Sequence, residues 1–180
     1  ATFCNRVARE TGVEGLRFEA GTIDGAALER ADIVVALHAC DTATDDALAR
    51  GVQAGASLIL AAPCCHKELR PLIKPPAALA GALRHGILLE REAEFVTDAL
   101  RAALLEWAGY DARVFEFVSP EHTAKNLMIA AVRRERPEAD RAARAGAVRA
   151  LAALYGVETQ QLARRLGFPL GADGAGNPAP

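Results

Sequence analysis

Two stretches decide the fold: Asp32-Ile-Val-Val-Ala-Leu-His-Ala-Cys-Asp41 and Ser57-Leu-Ile-Leu-Ala-Ala-Pro-Cys-Cys-His66. Each opens as a short apolar run rich in Ile, Val and Leu, and each ends in reactive side chains. A continuous apolar run of this length suits a strand buried on both faces, as in a parallel sheet. Residues 42–55, between the two runs, read as a helix. Thr42 with Asp45 makes a capping-box-like start, and Asp45 and Asp46 sit where the helix dipole favours negative charge. Ala47, Leu48, Gly51 and Val52 form one packing face, and Gly55 is a natural stop. This strand–helix–strand order predicts a right-handed crossover between parallel strands. His38, Cys40 and Asp41 then fall beside Cys64, Cys65 and His66, at the carboxyl ends of neighbouring strands, where open α/β sheets bind ligands.

Outward from this unit, the pattern predicts further elements. Residues 2–10 form a helix with Phe3, Cys4, Val7 and Ala8 on one face. Residues 16–20 alternate strictly and read as a strand; residues 21–24 are its exit loop and 25–30 a short helix. Pro71, Pro75 and Pro76 break any long helix in residues 67–91. That segment holds Lys67, Arg70, Lys74, Arg84, His85 and Arg91 against Glu68 and Glu90, and reads either as a basic loop overhanging the crevice at the strand ends or as a solvated surface loop. Residues 94–109 form a helix, and 110–118 and 126–133 a strand pair joined as an antiparallel hairpin. Pro137 opens a helix running to about residue 154. Residues 159–166 make another, and the Gly-, Pro- and Ala-rich tail reads as disordered.

The totals bound the class. At 180 residues, 51% hydrophobic and 24% charged, the chain is one globular domain with room for a core. No apolar run approaches the roughly 20 residues of a membrane span, so no membrane partner is expected. The net charge of −2 decides nothing about nucleic acid, but residues 133–165 carry eight Arg against four acids. The four cysteines make no disulfide framework. Adjacent Cys64 and Cys65, with no signal-peptide pattern, indicate a reducing, cytoplasmic setting. The chain opens inside what reads as a helix, so an upstream part is expected.

The segment Leu37-His-Ala-Cys-Asp-Thr-Ala-Thr-Asp-Asp-Ala-Leu48, followed by Ala62-Pro-Cys-Cys-His-Lys-Glu-Leu69, resembles a class I S-adenosylmethionine-dependent methyltransferase family. Its members carry a His-x-Cys-(Gly/Asp)-x-Ala-Thr-Asp segment and then Cys-Cys-His or Cys-Cys-Gln. Eukaryotic tRNA acceptor-stem 2′-O-methyltransferases are relatives with a similar pair. The resemblance follows the order of elements over residues 1–133. It implies a Rossmann-like methyltransferase sheet, here partial, with parallel strands, a terminal antiparallel hairpin and C-terminal helices. Residues 1–135 would be the C-terminal part of that domain, 136–168 a basic helical extension and 169–180 a disordered tail. The sequence departs from the tRNA enzymes at Asp41, where they usually have Gly, and at Lys67, where they often have a second His. A Gly-x-Gly-x-Gly-like turn, which such a fold uses to approach its cofactor, follows no strand here; its place would lie upstream of Ala1.

Methyl transfer from a sulfonium needs alignment, and a hydroxyl acceptor also benefits from a base. The resemblance implies that Thr22, Ile23, His38 and Ala39 hold S-adenosylmethionine. It places His38, Asp41 and His66 at the reaction, with His38 or Asp41 as base. Cys40, Asp45, Cys65 and Lys67 would meet the acceptor. Within Thr123-Ala-Lys-Asn126, Lys125 could meet a phosphate and Asn126 orient a base. With the basic segments, this makes RNA the favoured acceptor, tRNA or rRNA. The plainer readings are that His38 and Asp41 bond each other and cap the helix, and that Thr123 and Asn126 hold a turn. His38, Cys40, Cys64, Cys65 and His66 are all zinc-type ligands, but the Cys-x-x-Cys knuckle is missing and no metal is expected. Two other classes remain: a non-catalytic Rossmann-like binding or scaffold domain, and a small zinc-binding domain.

Overall fold

The computed structural model describes residues 1–26, 28–123 and 125–171. Helix α1 (Thr2–Glu10) precedes strand β1 (Ile33–Leu37), helix α2 (Thr42–Gln53) and strand β2 (Leu58–Ala62). A 3-10 turn (Ala77–Leu79) and a single helical turn, α3 (Ala80–Leu83), lead into the long helix α4 (Gly86–Trp107). Strands β3 (Tyr110–Glu116) and β4 (Leu127–Arg133) follow, then helices α5 (Glu138–Leu154) and α6 (Gln161–Arg165). The sheet order is β1-β2-β4-β3. β1 and β2 are parallel, while β4 runs antiparallel to both β2 and β3. The chain is thus a mixed α/β fold in which one inverted strand is inserted beside a parallel pair. The expected crossover unit and terminal hairpin are both present.

One face of the sheet carries the core. Ile59 and Ala61 of β2 share it with Ile129 and Ala131 of β4, and all four are fully buried. α2 packs on β1 and β2, and α4 on β3 and β4. Gly51 lets α2 lie close, because a Cβ there would meet the Ile59 side chain at 2.7 Å. The opposite face is open: Ile33, Val35 and Leu37 of β1 are 57%, 56% and 59% exposed. The apolar run of β1 predicted burial on both faces, and this is corrected to one. No described element covers the other.

Three further expectations are corrected. Residues 16–20 form no strand, because no other strand lies beside them. Instead the Asn5 side-chain amide donates to the Phe18 carbonyl and accepts from the Phe18 amide, both at 2.7 Å. Residues 23–26 form a turn, so the short helix expected at 25–30 does not start there. α4 begins at Gly86, eight residues before the expected position 94.

Residues 136–168 pack into the same core as the sheet. Ala145, Val148 and Ala152 of α5 are buried against α4, and Leu162 and Ala163 of α6 against α2. Phe168 meets Trp107 edge to face at 4.7 Å. Leu170, placed by the sequence in a disordered tail, is buried; residues 172–180 of that tail lie outside the described residues. No helix among the described residues is long and apolar enough to cross a membrane.

Candidate active site

The parallel register pairs Leu37 with Ala62, so the two exit loops leave the sheet side by side. The first loop is conformationally unusual. His38 and Asp41 have φ of 58° and 54°, and they are the two non-glycine residues with positive φ in the described chain. Such backbone costs of order 1–3 kcal/mol per residue and persists only where surrounding contacts hold it. Those contacts are present. The Asp41 carboxylate accepts from the backbone amides of Lys67 (2.8 Å) and Glu68 (3.0 Å) in the second loop. Thr44 donates to the Ala39 carbonyl, and Arg101 donates to the Asp41 carbonyl at 2.8 Å. Asp41 therefore binds amides of the opposite loop and not His38. It clamps the loops together.

Beneath the clamp lies a buried ionic network that no motif in the sequence announced. Arg101 of α4 is fully buried and donates to both oxygens of Asp45, at 3.0 and 2.6 Å, and to Asp98 at 3.0 Å. Gln160 adds a 2.6 Å bond to Asp45. Burial works against the Arg101 charge, but Asp45 and then Asp98 outweigh it and raise its pKa. The other Asp98 oxygen lies 3.0 Å from His66 Nε2. Asp45, expected to meet a substrate, is fully buried and is held in this network. His66, expected at the reaction, is likewise buried, with Nε2 on Asp98 and Nδ1 buried without a partner.

His38, by contrast, is exposed. With Ile23 and Ala39 it lines a cavity of about 430 Å³ along β1, whose other walls include Ala26, Leu28 and Val34. Thr22 lines a neighbouring depression that also touches Ile23. The structure thus brings together three of the four residues expected to hold the cofactor and sets Thr22 next to them. Lys67 is exposed and lines a separate depression with Arg70, Pro71, Leu89 and Glu90.

Cys40 and Cys65, expected to meet the acceptor, stand with Cys64. The Cys40 and Cys64 sulfurs are 3.2 Å apart and those of Cys64 and Cys65 3.8 Å. The hydrogen bond to Cys40, then burial, then Cys65 push the Cys64 thiol up to about 12.

Glu68 was missed by the sequence reading. Burial, and then the charge of Asp45, raise its pKa to about 7, with Arg164 opposing. A carboxyl whose folded pKa lies above its unfolded value contributes stability that is complete at low pH and lost as pH rises through the folded value. Glu68→Gln is therefore expected to be near neutral at pH 4 and stabilising by about 1–3 kcal/mol at pH 8. Urea unfolding at the two pH values checks this; equal effects at both would contradict it.

Lys125, expected to meet a phosphate, is exposed, while Asn126, expected to orient a base, is buried. Lys125 pairs with Glu94, which Lys125 and Arg91 hold below the usual carboxylate range although burial alone would raise it. Asn126 is buried and donates to the Val118 carbonyl at 2.9 Å, and Thr123 accepts from the Lys125 amide. The plain turn reading of this segment describes these contacts. The Arg residues of 133–165 also have internal partners. Arg144 pairs with Glu106, Arg164 with Glu68, Arg165 with Asp24 and Asp46, and Arg134 and Arg136 with Asp111. Arg141 stacks on Trp107 and Arg149 on Phe168, and Arg133 donates to the Gly55 carbonyl.

A family model described as a methyltransferase domain matches residues 1–71. That stretch holds both exit loops, the cavity beside β1 and the three gathered thiols, and the match supports methyltransferase activity in general terms. No curated protein and no solved structure matches the chain.

Proposed function

We propose that this protein is an S-adenosylmethionine-dependent methyltransferase acting on RNA, tRNA or rRNA. One observation carries the reading: the cavity lined by Ile23, His38 and Ala39 lies along β1, inside the stretch that matches a methyltransferase domain. Its walls are mostly aliphatic, with Arg50 and His38 as polar groups, which suits a purine nucleoside. When bound, the cofactor supplies an electrophilic methyl group. Ile23 and Ala39 would contact its adenosine part, with Thr22 at the edge. His38, exposed beside them, is assigned to accept the proton of the acceptor hydroxyl. Asp41 and His66 act as positioning residues, because their side chains hold the loops and the helix beneath.

The RNA acceptor is supported by the resemblance of the paired strand ends to the tRNA 2′-O-methyltransferases and by Lys67 at the head of the basic loop. The Arg residues after β4 add little, since each has an internal partner. Phosphate contacts would make RNA binding fall steeply with salt. The test is transfer of a tritiated methyl group to total RNA, total protein and small metabolites by the wild type and His38→Ala. RNA labelling is expected, reduced about 10²- to 10⁴-fold by His38→Ala. Label confined to protein or metabolites would overturn the acceptor assignment. Undiminished RNA labelling by the variant would overturn the role of His38.

A further inference from the structure

We propose that Cys40, Cys64 and Cys65 form a three-thiolate zinc site with one coordination position open. The three sulfurs all lie within 4.8 Å of one another, with Cys40–Cys64 at 3.2 Å and Cys64–Cys65 at 3.8 Å. Zinc bound at about 2.3 Å in tetrahedral geometry places its sulfur ligands roughly 3.8 Å from one another, so small side-chain movements suffice.

The sequence argued against a metal because no Cys-x-x-Cys knuckle is present among its zinc-type ligands. The structure removes that objection by selecting a different set. His66 turns inward to Asp98 and leaves the ligand list. Cys65 takes its place, because the exit from β2 is no longer extended strand and both adjacent thiols reach Cys40.

The backbone beneath the thiols is held from several sides. Asp41 ties the Cys40 loop to the Lys67 and Glu68 amides, just past Cys65, and Thr44 fixes the Ala39 carbonyl. Such preorganisation lowers the cost of gathering ligands around an ion. Three soft thiolates favour zinc over hard cations, and three protein ligands characterise sites that keep a position for solvent or a substrate. Cys40 is exposed, so an ion has a path in. The fourth cysteine, Cys4 on α1, lies outside the group and serves as a control. Zinc binding is independent of the methyltransferase reading and is measured without it.

The experiment titrates the reduced, chelator-stripped protein with cobalt(II) and then zinc(II). One equivalent of cobalt is expected to give a thiolate-to-cobalt charge-transfer band and tetrahedral d–d bands, both abolished by one equivalent of zinc. Cys40→Ser, Cys64→Ser and Cys65→Ser should each weaken binding by more than the roughly 100-fold that loss of a supporting group costs. Cys4→Ser should bind as the wild type does. Circular dichroism establishes that each variant is folded; if one is not, alkylation of wild-type thiols with and without zinc replaces it, and protection of three of the four cysteines is expected. Absence of the charge-transfer band in the folded wild type would overturn the site. So would unchanged binding by Cys40→Ser, loss of binding in Cys4→Ser, or alkylation indifferent to zinc.

Discussion

Replacing Arg101 by methionine is expected to destabilise the protein by about 3–5 kcal/mol, the range found when one partner of a buried ion pair is removed. Arg101 is fully buried, and its guanidinium holds Asp45 in a two-pronged pair while reaching Asp98 and the Asp41 carbonyl. Methionine fills much of the same volume, so packing loss is small. The damage comes from two carboxylates left in the core with only Gln160 and His66 as side-chain partners. The expectation separates from a simple packing defect by a coupled set. Asp45→Asn combined with Arg101→Met should be less destabilising than the sum of the single variants, because the orphaned charge goes with its partner. Urea unfolding of the four proteins provides the measurement. Strict additivity would show that the pair does not act as a unit.

This network explains how far the site was legible. The strand ends were readable because apolar runs terminate in clustered polar residues, a pattern with few other causes. What the motif could not convey was the direction of each side chain. Asp45 belongs to the segment that carries the family resemblance, yet it points into the core. It does so because α4 delivers a guanidinium to that position. The signal lay 56 residues away: Asp98 and Arg101, three residues apart, interrupt the apolar stripe of Val96, Leu100 and Leu104. On an amphipathic helix a charged pair on the buried face asks for a partner. His66 follows from the same helix, since Asp98 draws its ring inward.

The fold was legible where elements are defined by their own periodicity and illegible where definition comes from a neighbour. α2 and the β3–β4 hairpin are set by local pattern and turn chemistry. Residues 16–20 alternate as well as any strand, but a strand exists only beside another, and the Asn5 side chain took the Phe18 backbone groups instead. The start of α4 was missed for a related reason. Its first turns expose Ile87 and Leu88 at 66% and 44%, so no buried stripe marks them.

The last consequence concerns residues 136–168, which the sequence presented as a basic extension. Leu162→Ala is expected to cost about 2–5 kcal/mol, as for a fully buried leucine. A chain ending at residue 135 is expected to lose cooperative unfolding. α6 docks on α2 through Leu162 and Ala163, Gln161 and Arg165 each bond Asp46 at 2.8 Å, and Gln160 closes the Arg101 network at Asp45. α5 covers α4 with Val148 and Ala152, while Phe168 and Arg141 enclose Trp107. Removing them would expose the outer faces of both helices that cover the sheet. Far-UV circular dichroism with urea, applied to the full chain, Leu162→Ala and residues 1–135, reads the effect. A sigmoidal transition for residues 1–135 at the full-length midpoint would mean that these helices are an appendage. A broad, non-cooperative transition would mean that the strand-end loops are held in place from 60 or more residues downstream of Asp98, through Gln160 and Asp45.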